Sequence, residues 1–233
     1  MVDKILSKAE MLAKRVLAKE KREVRVHNKL IKSRNKEFGY DDELTELKSL
    51  PQMLKVSDDK QWIYTNSRIL LAVKDVETQP GLFPVKDEFT VPDDFEYPNV
   101  DRLMHIQREV IHPTCVRMVV NPKELREIVY PLYKQSDDNV AKVWISQTDI
   151  KVETTDKYAL AANNIISATL KCETQASESV MVGVDIEYLY FMLDFFKNIG
   201  EQEITVYSSS SLRPWIVEAG RAFFLMAPRR TAS

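Results

Sequence analysis

Glycine is scarce in this sequence. Its 233 residues include five glycines, whereas about 7% of the residues in a typical domain are glycine. They are scattered, and no two of them lie within ten residues of each other. A loop that cradles phosphates needs clustered glycines, because only these let backbone N–H groups approach the phosphate oxygens. The scarcity therefore excludes a P-loop, a dinucleotide-binding loop and a kinase-type glycine loop.

Cysteine and histidine are also few, with two cysteines and three histidines. Cys115 and Cys172 stand far apart, and no two histidines have the spacing of metal ligands. The sequence therefore predicts neither a metal nor another cofactor, and it speaks against an enzyme. Isolated cysteines are typical of a reducing cytoplasm. A charged N-terminus and the lack of an apolar run of about 18 residues predict a cytoplasmic protein without signal peptide or membrane span.

Positive charge is concentrated at the N-terminal end of the chain. Residues 1–40 contain twelve Lys or Arg and five Asp or Glu, which gives a net charge of +7. Because the whole chain carries −2, the other 193 residues carry −9. This asymmetry predicts one face for a polyanion and another for solvent or a protein partner. A solvated helix with a lysine-rich outer side explains the same charges.

The N-terminal segment has the apolar spacing of a helix over residues 3–22. Ile5, Leu12 and Val16 lie on one side of that helix. Residues 23–48 are polar, and their first part fits either a short strand or a continuation of the helix. Strand-like apolar runs then follow at Met53–Ser57, Gln61–Thr65 and Arg68–Val73.

Proline marks a boundary in the middle of the chain. Five of the ten prolines lie in residues 76–113, where they remove backbone donors and oppose helix formation. This composition predicts an extended linker rather than a core element. The linker separates an N-terminal unit, residues 1–75, from a C-terminal unit, residues 114–233.

An internal repeat organises the C-terminal unit. Met118–Leu125 and Val182–Leu189, 64 residues apart, each have the pattern of a short strand, an Asn or Asp cap and an amphipathic helix. Asn121 followed by Pro122 is a strong helix start. Strand-like runs follow both helices. Two helices against antiparallel strands predict an α+β architecture.

Several segments of the repeat are similar to one family. Val180–Leu193 resembles the helix entry in the last domain of the bacterial DNA sliding clamp, the beta subunit of DNA polymerase III. Phe223–Arg229 resembles the terminal strand of that domain and its Met-Pro-Met-Arg ending, and Tyr97–Arg102 resembles the connector before it. In the N-terminal half, Thr65–Ala72 is similar to the Ala-Thr-Asp-Gly-His-Arg-Leu-Ala element of the middle domain, with Asn66 in place of the Asp.

This resemblance implies a DNA-clamp fold of repeated β-α-β-β-β units, with antiparallel sheets outside and helices on the inner face. Residues 114–233 would form a complete C-terminal clamp domain, and residues 1–75 a truncated or divergent N-terminal one with a basic helix. The chain is shorter than a bacterial clamp subunit, and the resemblance implies a shortened version of the kind that a phage or mobile element encodes. A homotrimer is the favoured assembly, while a dimer and a monomer stay open.

The resemblance also implies a function without chemistry. A clamp encircles duplex DNA without reading its sequence, is placed there by a clamp loader and tethers DNA polymerase and other proteins through their clamp-binding peptides. Lysines and arginines on the helices would face the phosphates, although each also fits a solubilising surface role. The candidates for DNA contact are Lys4, Lys8, Lys14, Arg15, Lys19, Arg22, Lys123, Arg126, Lys134 and Lys197.

A hydrophobic groove for partner peptides is the second site that the resemblance implies. Its candidates are Thr65, Ser67, Arg68, Leu70, Asp185, Tyr188, Leu212, Pro214, Phe224, Met226 and Pro228, with Asp185 at the rim. A groove lined by methionine and aromatic side chains suits several related peptides. The apolar members fit equally well as ordinary core residues of a sheet. A different function is open too, in which a clamp-fold protein does not encircle DNA and binds or antagonises replication or repair partners.

Overall fold

The structure is a computed structural model that describes residues 2–38, 53–66, 68–85, 97, 100, 116–156, 158, 164–176 and 179–230. Its helices are α1 (Val2–Phe38), α2 (Pro122–Gln135) and α3 (Ile186–Ile199). The strands of the N-terminal half are β1 (Met53–Val56), β2 (Trp62–Thr65), β3 (Ile69–Val73) and β4 (Gly81–Pro84). Those of the C-terminal half are β5 (Val116–Val120), β6 (Ser136–Ile145), β7 (Asp149–Asp156), β8 (Ile165–Lys171), β9 (Glu173–Gln175), β10 (Val180–Asp185), β11 (Ile204–Ser208), β12 (Trp215–Ala219) and β13 (Ala222–Met226).

Helix α1 is longer than its apolar spacing predicts. Its apolar side is buried as expected, with Ala9 and Val16 inaccessible to solvent. The helix continues without a break through residues 23–38. Residues 23–28, for which a short strand and a continued helix were both possible, are therefore helical. Residues 39–48 lie outside the described part of the chain.

The repeat in the C-terminal half is confirmed in detail. The segments β5–α2–β6–β7–β8 and β10–α3–β11–β12–β13 have the same order of elements. Both helices begin at the expected caps, because Asn121 Oδ1 accepts hydrogen bonds from two backbone N–H groups and Asp185 Oδ1 does the same. Helix α3 ends at Gly200, whose φ of 94° is a left-handed conformation that glycine adopts without strain.

Two antiparallel sheets form among the described residues. The larger has the order β4-β1-β2-β3-β13-β12-β11-β5-β9, and the smaller has the order β10-β6-β7-β8. Strand β3 pairs with β13, so that Ile69 lies opposite Met226 and Leu71 opposite Phe224. This pairing makes one continuous sheet from the N-terminal and C-terminal halves. The α+β class predicted from the repeat is confirmed.

The linker prediction is wrong for part of residues 76–113. Strand β4 forms within them and pairs with β1 over four residues, and Val76 and Val85 on either side of it are buried. Pro84 fits there because β4 is the terminal strand of the sheet order, where a missing N–H interrupts no inner ladder. Beyond residue 85 the described residues of the region are Tyr97 and Val100, and the Tyr97 hydroxyl donates to the Ile63 carbonyl at 3.0 Å.

The larger sheet buries apolar side chains on both faces. One face carries Tyr64, Leu71 and Phe224 into the main core beneath the helices. The opposite face carries Leu70 and Phe223 into a smaller cluster that includes Val100. Because successive strand residues point to opposite faces, the register of β3 against β13 decides which residues belong to each core.

Candidate nucleic-acid and partner interface

One side of α1 faces solvent and carries mostly positive charge. Among the helix residues whose side chains are described, the exposed ones include four cations and two acids and are Asp3, Lys4, Ser7, Glu10, Met11, Lys14, Ala18, Arg22, Arg25 and Val26. Lys8 is half-buried beside them. Arg22 also pairs with the buried Glu187, at 2.8 Å from Nη2 to Oε2, while its own side chain stays 60% exposed. Four cations therefore line the outer side of the helix, here called the α1 cationic row (Lys4, Lys14, Arg22 and Arg25).

Arg15 has another role, because it joins α1 to α3. Its Nη1 lies 2.6 Å from Asp194 Oδ2, and its guanidinium lies 4.2 Å from the centre of the Phe191 ring. Arg126 of α2 binds the other oxygen of Asp194 at 2.8 Å and donates to the Tyr190 hydroxyl at 2.9 Å. Both arginines were predicted DNA contacts, and one carboxylate partly neutralises the two of them.

Lys19 is buried, which contradicts its predicted contact with DNA. Its side chain is 1% exposed, and Nζ donates to Asp185 Oδ2 at 3.0 Å and to Glu23. No phosphate reaches an ammonium group in this position. Asp185 was predicted at the rim of a groove, but it is 2% exposed and caps α3, so that prediction is wrong as well.

A buried polar cluster surrounds this ion pair. The Tyr188 hydroxyl donates to Glu20, and Asn66 Nδ2 donates to Glu20 Oε1 at 3.0 Å and to the Tyr188 oxygen at 3.1 Å. Burial, and next the hydrogen bond to Glu20, raise the pKa of Tyr188 far above its ordinary value. The phenol therefore stays protonated and donates. The cluster fastens α1 to α3 and to the turn between β2 and β3.

The sequence interpretation missed Glu20 and Asn66 as members of this cluster. A signal was present in α1, because the apolar spacing of Ile5, Leu12 and Val16 continues onto Lys19, Glu20 and Glu23. Charged residues at core positions of a helix indicate buried partners of opposite charge. No signal of that kind marked Asn66, whose role depends on the tertiary fold.

Most of the predicted groove residues do not line an open groove. Tyr188, Phe224 and Met226 are each at most 1% exposed and pack in the main core, whereas Leu70 belongs to the cluster on the opposite face. The Thr65 hydroxyl donates to the Ile69 carbonyl at 2.8 Å. The structure therefore supports the alternative interpretation, in which these residues are ordinary core residues of a sheet. Ser67 lies outside the described residues.

The accessible members of the set lie toward one end of the larger sheet. Trp215 pairs with Met226, so Pro214 and Pro228, both half-buried, flank this pair. The Ala227 N–H donates to the Arg68 carbonyl at 2.7 Å, which brings Arg68 beside them. Leu212 is 79% exposed in the preceding loop. These four residues, Arg68, Leu212, Pro214 and Pro228, are called the strand-end patch below.

The remaining predicted DNA contacts lie on α2 and α3. Lys123 and Lys134 are exposed, and Lys197 is half-buried. Lys134 Nζ lies 5.2 Å from the centre of the Tyr133 ring, a geometry that favours a cation–π contact. In the part of the chain that the structure describes, no group of three His, Cys, Asp or Glu is arranged to hold a metal ion. No described helix is long and apolar enough to cross a membrane.

The paired sheets and the repeated helix units define a DNA-clamp fold, and solved structures of bacterial sliding clamps share it. The DNA polymerase III subunit beta from Pseudomonas aeruginosa matches 80% of this chain with a TM-score of 0.60 and 12% identity. The beta subunit from Thermotoga maritima matches 79% with a TM-score of 0.60 and 14% identity. The Helicobacter pylori beta clamp bound to a DNA ligase peptide matches 80% with a TM-score of 0.60 and 11% identity.

At these identities the similarity is one of fold. The predicted resemblance to the bacterial sliding clamp is confirmed at that level, together with the clamp fold of repeated units. The chain spans about 60% of the length of the P. aeruginosa subunit. No protein-family model matches the sequence, and no curated protein matches it.

The Glu23 carboxylate predicts how stability depends on pH. Burial raises the pKa of Glu23, but hydrogen bonds from Lys19 and Arg68 outweigh burial and hold this pKa below its ordinary value of 4.5. The folded protein therefore favours the ionised form. The resulting stabilisation is complete above pH 4.5 and is lost as the pH falls through the lower folded-state pKa. We expect the free energy of unfolding in urea to decrease over that acidic range.

The variant Glu23→Gln is the matched control, because it keeps the size of the side chain and removes its titration. Its free energy of unfolding should be lower than that of the wild type at neutral pH, and the difference should shrink in acid. A difference between the two proteins that stays constant with pH would contradict the assignment.

Proposed function

We propose that this protein is a DNA sliding clamp, a processivity factor that holds replication proteins on duplex DNA. The observation that carries the proposal is the α1 cationic row on the helical layer of a clamp fold. Lysine and arginine side chains that bind phosphates without reaching base edges give affinity without sequence specificity. The net charge of −9 on residues 41–233 supports it, since a negative exterior disfavours DNA binding elsewhere.

The strand-end patch is the proposed site for partner peptides. Its members form a mixed apolar and basic surface at the end of β13, the last strand in chain order. The H. pylori clamp with a bound DNA ligase peptide supports peptide binding by this fold. We propose DNA polymerase as a further partner, and a clamp loader that opens the assembly.

Ring closure requires that copies of the chain meet edge to edge. Strands β4 and β8 are terminal in the two sheet orders, and terminal strands present backbone groups for pairing with another chain. A cavity of about 190 Å³ beside β4 is lined in part by Leu6, Trp62 and Phe83. These features favour a homo-oligomer, of which a trimer is the preferred form.

A second function has its own support. Arg15, Lys19 and Arg126, which were expected to face DNA, are paired with carboxylates of α3 and its cap. A clamp-fold protein that binds or antagonises replication proteins without encircling DNA needs no cationic inner wall. The two functions differ in assembly and in topological retention on DNA.

For the ring we expect a mass in solution three times the chain mass of 27.0 kDa, measured by multi-angle light scattering at increasing protein concentration. Protein loaded on closed circular DNA should stay bound in salt and leave when the circle is cut, because the attachment is topological. A monomer at every concentration, with equal retention on cut and closed DNA, would favour the second function.

The charge-reversed variant Lys4→Glu/Lys14→Glu tests the DNA face. Both side chains are exposed, so the fold should be unaffected. We expect weaker DNA binding and a slope of log K against log salt that is smaller by about 2, since each phosphate contact contributes about 0.9. The control Lys55→Glu/Lys171→Glu makes the same charge change away from the helices. Equal losses in both variants would attribute the effect to net charge alone.

The variant Arg68→Ala/Leu212→Ala tests the strand-end patch. Binding of a labelled C-terminal peptide from a bacterial replicative DNA polymerase, followed by fluorescence anisotropy, should weaken about tenfold, which corresponds to about 1.4 kcal/mol. Tyr158→Ala removes another exposed side chain, 72% accessible, and should leave the affinity unchanged. If the double variant binds the peptide as the wild type does, the patch is not the site.

A further inference from the structure

Helix α1 continues past the last contact with the body that its described side chains make. Glu23 still contacts the body, through Arg68 Nη1 at 2.7 Å. Two and three residues later Arg25 is exposed and Val26 is 55% exposed. The helix nevertheless continues to Phe38. At a rise of about 1.5 Å per residue, the part beyond Glu23 is about 22 Å long.

The charge of this extension continues the α1 cationic row. Positions 29, 32 and 36 are all lysine and follow Arg25 by four, seven and eleven residues. Residues spaced in this way share one side of a helix. Residues 24–38 contain five Lys or Arg and a single acid, Glu37. The same side of α1 therefore carries lysine or arginine by register from Lys4 to Lys36, over about 48 Å, with Asp3 and Glu10 as exposed acids near its start.

We propose that residues 24–38 of α1 are a second DNA-binding element, which contacts backbone phosphates of duplex DNA outside the part held by the clamp body. The inference rests on the proposed function and adds a site to it. Duplex DNA carries about one negative charge per 1.7 Å of its axis, so 22 Å of helix faces about 13 charges. A row of lysines at helical intervals matches such a continuous polyanion better than it matches a single anionic group.

Two features favour duplex phosphates over other ligands. The side chains of α1 that can stack on bases are His27 and, at its last residue, Phe38, so the helix lacks the series of aromatic platforms with which proteins hold single strands. The lysine-bearing side of the extension also continues the α1 cationic row, which lies on the part of the helix that packs on the body. An anionic membrane is the alternative, because Val24, Leu30 and Ile31 give the extension some apolar character, and the experiment includes it.

The test compares charge variants of the full chain. In Lys29→Glu/Lys32→Glu/Lys36→Glu we expect at least a tenfold loss of affinity for a short duplex, measured by anisotropy. The slope of log K against log salt should fall by about 2 to 3. Glutamine at the same positions should lower the slope as well, since it removes attraction without adding repulsion. The control Lys55→Glu/Lys142→Glu/Lys171→Glu carries the same charge change, and circular dichroism checks the helix content of each variant.

The outcomes separate the two proposals. A wild type that does not bind duplex DNA would overturn the proposed function and this inference with it. A second outcome is that the wild type binds duplex DNA and that Lys4→Glu/Lys14→Glu weakens this binding. If the extension variants then bind as the wild type does, the inference is wrong and the proposed function stands. Extension variants that lose binding to vesicles of phosphatidylserine and phosphatidylcholine, but keep their affinity for DNA, would assign the helix to a membrane surface instead.

Discussion

The pairing of β3 with β13 is the contact on which the rest of the structure depends. It joins strands from the N-terminal and C-terminal halves of the chain over five residue pairs and converts two sets of strands into one sheet. The register of this pair sends Leu71 and Phe224 into the core beneath the helices, and Leu70 and Phe223 to the other face. Both cores, and the position of the strand-end patch, follow from that register.

The helical layer is held to the sheet by charge as well as by apolar packing. Lys19, Glu20 and Tyr188 are buried in one polar cluster, and removal of one partner from a buried ion pair is strongly destabilising because it leaves an unpaired charge. Such a cluster specifies how α1 lies against α3. It also divides the basic residues of α1 into those that hold the fold together and those that remain available to a polyanion.

Local features of the fold were predictable from sequence, and tertiary ones were not. Asn121 and Asp185 identify helix starts because a cap acts on its own helix. The strand β4 escaped prediction because proline normally opposes strands, and only an edge position tolerates Pro84. The groove assignment was limited by strand geometry, since a motif does not reveal which face Phe224 or Leu70 will occupy. Lys19 continues the apolar spacing of α1, which indicates burial, but nothing local identifies its partner Asp185, 166 residues away.

The late position of β13 has a consequence for synthesis of the protein. Strand β3 is translated about 150 residues before its partner, which at about 5 to 20 residues per second is a delay of roughly 8 to 30 seconds. Throughout that interval the nascent chain presents an unpaired apolar edge, Ile69–Val73, of the kind that pairs with other chains. The edge is therefore open to pairing with other chains until β13, the strand that completes the sheet, has been made.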